Sequence, residues 1–187
     1  MGGRGNASAG GGTKRKILAI DGGGIKGAFP AAFLAAVEET TGKRIADYFD
    51  LIAGTSTGGI VALGLGLGLS AKDILQFYQE QGRRVFGQEL TGAGVWSRVS
   101  SYWRTRERRI RQFVGPAYDP LALKIALEEA FGAKRLANST VRLVIPAYSI
   151  NTRSVYVFKT AHHQRFEIDH NRTAVDEIGR ASCRERV

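Results

Sequence analysis

Residues 51–60 read Leu-Ile-Ala-Gly-Thr-Ser-Thr-Gly-Gly-Ile, an apolar run that breaks into Gly-x-Ser-x-Gly and then resumes. The pattern predicts a strand, a sharp turn and a helix. Glycines at Gly54 and Gly58 let the backbone reverse without side-chain clashes. A serine hydroxyl is a weak nucleophile unless it is held clear of its neighbours beside a base. The helix that follows would place partial positive charge near Ser56, where an oxyanion would develop. The elbow Gly54, Thr55, Ser56, Thr57 and Gly58 is therefore the candidate catalytic turn, with Ser56 as nucleophile. A plain Gly/Ser-rich connection between strand and helix would share the same letters.

A second strand-to-glycine transition lies upstream. Residues 16–27 read Lys-Ile-Leu-Ala-Ile-Asp-Gly-Gly-Gly-Ile-Lys-Gly. Consecutive glycines let backbone N–H groups converge on one point, as an oxyanion hole requires. The candidate donors are Gly22, Gly23, Gly24, Ile25, Lys26 and Gly27. Neighbouring parallel strands would deliver this turn and the serine to one edge of a sheet. The same turn also matches Gly-x-Gly-x-x-Gly at Gly22, Gly24 and Gly27, so a dinucleotide-binding module is the alternative. Against it, Asp47 and Asp50 precede the second strand, whereas the ribose-binding acid should sit at that strand's end.

Asp-Gly-Gly-Gly-Ile-Lys-Gly followed by Gly-Thr-Ser-Thr-Gly-Gly resembles the patatin-like phospholipase family, over residues 17 to about 176. The resemblance implies a three-layer α/β fold, with a mostly parallel central sheet, helices on both faces, and an incomplete C-terminus. It implies a lipid acyl hydrolase with Ser56 as nucleophile, an oxyanion hole at 22–27, and a Ser-Asp dyad. The family's base is an aspartate of a later Asp-Gly-Gly or Asp-Gly-Ala motif, and no such motif follows Ser56 here. His162, His163, Asp169, His170 and Asp176 are the remaining candidate bases. Phospholipid or another lipid ester is the expected substrate, and no cofactor or metal is called for. The dead-enzyme alternative is a membrane- or nucleotide-responsive relative without turnover.

Charge bears on partners. The 187 residues carry a formal net charge of +10, which favours an anionic partner. In the segment 98–111, Arg98, Arg104, Arg108 and Arg111 mix with Tyr102 and Trp103. A solvated basic face explains this, and so does contact with an anionic membrane surface. Nucleic acid ranks below lipid, because the catalytic pattern points to esters. The only cysteine, Cys183, excludes an intramolecular disulfide and a Cys-based metal site. No signal peptide is visible, so the expected location is cytoplasmic, peripheral to a membrane at most.

In chain order, residues 1–13 are Gly-rich and expected to be flexible, with the domain running over 14–176. Residues 14–20 suggest a buried parallel strand, and 29–40 a helix with Phe33, Ala36 and Val37 on one face. Residues 60–69 alternate glycine with leucine and are read as a buried helix, because the elbow must feed one. Ser70 and Asp73 form a capping-box signature ahead of Ile74, Phe77 and Tyr78. Pro120 opens a further helix that Gly132 ends. Residues 140–149 and 154–158 suggest a hairpin or neighbouring strands. Residues 177–187 lack an apolar period and are expected to be a non-native tail that replaces the segment bearing the catalytic aspartate, which would leave the chain as given inactive for want of a base.

Overall fold

In a computed structural model, residues 14–86, 120–149, 153–161, 169 and 171–175 are described. The expected tail, the basic segment 98–111, His162, His163, His170 and Asp176 lie outside them. Four strands, β1 (Ile17–Ile20), β2 (Leu51–Gly54), β3 (Arg142–Ser149) and β4 (Ser154–Lys159), form one sheet in that order. β1, β2 and β3 are parallel, and β4 closes back antiparallel on β3. The late hairpin is thus the antiparallel end of a mostly parallel sheet.

The helices are α1 (Ala28–Thr41), α2 (Thr57–Gly66), α3 (Ala71–Phe86) and α4 (Pro120–Phe131). All ten residues of α2 are buried. A one-sided apolar stripe would not survive in that position, which explains the run of Ile, Val, Leu and Gly all around the helix. α2 lies on the sheet face formed by Leu143 and Ile145, and two glycines set its distance. A Cβ on Gly59 would stand 3.2 Å from Ile145, and one on Gly66 2.8 Å from Leu143. Gly64 admits Ile74 of α3 in the same way. The alternation of glycine and leucine is therefore the print of close packing within a helix.

Two sequence expectations are corrected. β1 is not fully buried: Ile17 is 62% exposed, and among the described residues the strand order gives β1 a neighbour on one side only. On α1 the core face is Ala28, Ala31 and Leu34, while Phe33 is 62% exposed. Small residues let α1 approach α3, so the large phenylalanine is left on the outer side. On the sheet surface away from α2, Tyr148 and Val155 pair across β3 and β4 and are also exposed.

Helix ends follow their signals. Gly42 caps α1 at φ 65, and its N–H donates to the Glu38 carbonyl. Ser70 and Asp73 exchange backbone and side-chain hydrogen bonds at 2.9 and 3.0 Å, which holds the Asp73 carboxyl below its usual range. Glu38 joins three elements. Its carboxylate accepts from the Ile45 N–H at 2.9 Å and the Ala71 N–H at 2.8 Å, with Arg44 at 3.6 Å. Glu38→Ala would leave two N–H groups of buried residues without an acceptor. It is expected to cost about 2–3 kcal/mol, and Glu38→Gln less, read as a lower urea midpoint at unchanged slope. No helix of the described residues is long and apolar enough to cross a membrane.

Candidate active site

The site begins with strand register. Ile20 of β1 pairs with Gly54 of β2, so both strands end level at one edge of the sheet. Beyond Gly54 the chain reverses within two residues and enters α2 at Thr57. A Cβ on Gly54 would overlap the Gly58 carbonyl, and one on Gly58 would overlap the carbonyl of Ile20. Strand, turn and helix therefore meet backbone to backbone. Ser56 sits at the apex with φ 52 and ψ −125, a conformation that L-residues rarely adopt. Its carbonyl accepts from the Gly59 N–H at 2.8 Å, which starts the helix. Among the described residues its hydroxyl has no hydrogen-bond partner, and its side chain caps nothing.

The glycine turn lies directly on this serine. A Cβ on Gly22 would fall 2.6 Å from the Thr55 carbonyl oxygen and 2.8 Å from Ser56 Cβ. The Gly22 N–H donates to Thr55 Oγ1 at 3.3 Å, and the Gly23 N–H to Thr57 Oγ1 at 3.0 Å. Gly24 has φ 62 and opens a short 3-10 turn, Gly24–Gly27, that leads into α1. Of the six candidate donors, Gly22 and Gly23 are thus engaged with threonine hydroxyls. The N–H groups of Gly24 and Ile25 have no protein acceptor among the described residues, and neither do those of Ser56 and Thr57. Ile25 is half-buried, Lys26 is exposed, and Gly27 is packed behind the turn.

Tyr78 supports that packing from α3. It is fully buried, its hydroxyl donates to the Thr57 carbonyl at 3.0 Å, and a Cβ on Gly27 would stand 2.5 Å from that hydroxyl. The residue braces the elbow and the glycine turn together. Its sequence position suggested only a core contact, because a lone tyrosine on an apolar face carries no signal of a polar task. The threonines on either side of Ser56 were visible, but not what their hydroxyls hold.

Asp169 is the one candidate base within the described residues, and it is otherwise committed. It is buried, accepts from the Tyr156 hydroxyl at 2.6 Å and from the Lys159 N–H at 3.4 Å, and lies 3.7 Å from the Arg172 guanidinium. That network ties the segment after β4 to the sheet. Among the described residues no three His, Cys, Asp or Glu side chains group as a metal site.

Comparison with known proteins supplies the last observations. A family model described as Patatin-like phospholipase matches residues 18–184. A cGAMP-activated phospholipase of Pseudomonas aeruginosa is 36% identical over 160 residues, covering 86% of this chain and 44% of the relative. One of Vibrio cholerae is 32% identical over 162 residues, covering 82% and 43%. The chain thus spans less than half the length of these curated relatives. A solved complex of ExoU with SpcU from the Pseudomonas aeruginosa type III secretion system aligns with a TM-score of 0.44. Identity there is 17%, over 88% of this chain and 37% of that one.

Proposed function

The chain belongs to the patatin-like phospholipase family, and from that premise we propose that it is a serine acyl hydrolase of phospholipids or other lipid esters. One observation carries the reading: Ser56 is held at φ 52 at the mouth of α2, with the glycine turn of the adjacent strand against its Cβ. In the reaction, Ser56 Oγ attacks the ester carbonyl carbon while a base takes its proton. The carbonyl π electrons move onto oxygen, and unpaired backbone N–H groups stabilise that oxyanion. Collapse breaks the ester C–O bond, the base returns its proton to the departing oxygen so that it leaves as the alcohol, and the acyl group left on Ser56 is then removed by water as the free acid.

Asp169 is not assigned as the base, because its carboxylate is already held by Tyr156, Lys159 and Arg172. The dinucleotide-binding alternative is weakened at the same turn. Two of the N–H groups that a pyrophosphate would use already donate to Thr55 and Thr57. The net charge of +10 supports an encounter with anionic lipid surfaces.

The test is reaction with a fluorophosphonate probe, followed by peptide mass mapping. The expected result is a single adduct on the peptide containing Ser56, suppressed by excess phospholipid. No adduct there, or an adduct only at other serines, overturns the reading.

A further inference from the structure

We propose that Thr55 and Thr57, the two neighbours of the nucleophile, are positioning residues that select which backbone N–H groups form the oxyanion hole. The proposal rests on the hydrolase reading of the same site. A glycine turn offers several N–H groups in succession and, left to itself, can aim different subsets at one point. Here the first two are removed from the choice. Gly22 donates to Thr55 Oγ1 at 3.3 Å and Gly23 to Thr57 Oγ1 at 3.0 Å. Among the described residues, the N–H groups left without an acceptor in the turn are then those of Gly24 and Ile25, together with those of Ser56 and Thr57 on the elbow itself.

The two hydroxyls also extend the coupling of two pieces of chain beyond the end of the β1–β2 ladder. The glycine turn belongs to β1 and the serine to β2. The threonine bonds fasten one to the other on both sides of Ser56, so donors and nucleophile move as one body. Catalytic geometry tolerates a misplacement of only about half an ångström, which makes such coupling consequential. Thr57 is 1% exposed, and its carbonyl is held in turn by the Tyr78 hydroxyl at 3.0 Å. The clamp therefore has a rigid base: α3 holds Thr57, and Thr57 holds Gly23.

The chemistry requires an oxygen acceptor at position 57, not merely a β-branched shape. Thr57→Val keeps the shape and removes the acceptor, whereas Thr57→Ser keeps the acceptor. Two readouts are needed on the full chain. The first is amide hydrogen exchange at Gly22 and Gly23, which does not depend on activity. Thr57→Val is expected to speed exchange at Gly23 by at least tenfold, and Thr57→Ser to leave it near wild type. The second is the rate of fluorophosphonate reaction at Ser56. It is expected to fall by about tenfold to a hundredfold in Thr57→Val and to be restored in Thr57→Ser, less than the roughly 10² to 10³-fold loss when an oxyanion donor is removed outright, because here the donors are displaced and not deleted.

Unchanged exchange at Gly23 in Thr57→Val overturns the clamp. Faster exchange with an undiminished rate at Ser56 overturns its positioning role while leaving the hydrolase reading intact. A wild-type chain that never reacts at Ser56 overturns the hydrolase reading, and the positioning role with it, even where the exchange result holds.

Discussion

Ser56→Gly is expected to abolish all reaction at the elbow and at the same time raise stability by about 1 kcal/mol. The reactivity loss is simple, since no hydroxyl remains. The stability gain follows from the backbone. Ser56 is held at φ 52 and ψ −125, a region that costs an L-residue roughly 1–3 kcal/mol and costs glycine almost nothing. Glycine also loses more conformational freedom on folding, an offset of about 0.5–1 kcal/mol. No cap is lost, because the Ser56 side chain makes no capping hydrogen bond. The net is a rise in melting temperature of about 2–4 °C. Ser56→Ala is the control. It removes the same hydroxyl but keeps a Cβ, so the strain persists and the melting temperature should stay near wild type. If Ser56→Gly and Ser56→Ala melt together, the turn is not strained, and the stored conformation is not part of the site.

The strain also explains what could be read from the letters and what could not. Gly-x-Ser-x-Gly between apolar runs was legible because each glycine answers to a backbone contact: Gly54 to Gly58, and Gly58 to Ile20. Such contacts leave no room for any other residue, so they mark the sequence. The Ser70–Asp73 capping box was legible for a similar reason, since its partners are three residues apart. Properties set by distant partners were not. Phe33 looked like a core residue and is exposed, because α1 packs through its alanines. Ile17 looked buried, but strand order is a property of the whole sheet. The bonds of the Gly22 and Gly23 N–H groups to hydroxyls more than thirty residues away were equally illegible. Asp169 was one acid among several candidates, and only the contacts from Tyr156, Lys159 and Arg172 identify its structural task.

Gly58→Ala is expected to be among the most destabilising single-methyl changes in the chain, at about 3 kcal/mol or more. Gly58 has no unusual backbone angle, so glycine is required there for space alone. Its added Cβ would overlap the Ile20 carbonyl and stand 2.9 Å from the Asp21 carbonyl oxygen. Both obstacles are backbone atoms at the end of β1, and no rotamer change relieves them. Either α2 must lift away from the sheet or β1 must slide out of register with β2. Each route disturbs contacts of a helix that is buried on every side. Against a typical total stability of about 5–15 kcal/mol, that loss should appear as a large drop in soluble yield and in the urea midpoint. Gly42→Ala separates space from conformation. Gly42 needs its φ of 65, but an added Cβ there meets nothing within 4 Å. Its replacement should cost only about 1 kcal/mol, the ordinary penalty for a left-handed L-residue. Equal costs at the two positions would mean that the elbow can open to admit a methyl group. The close backbone contact between β1 and α2 would then not be what holds the glycine turn against Ser56.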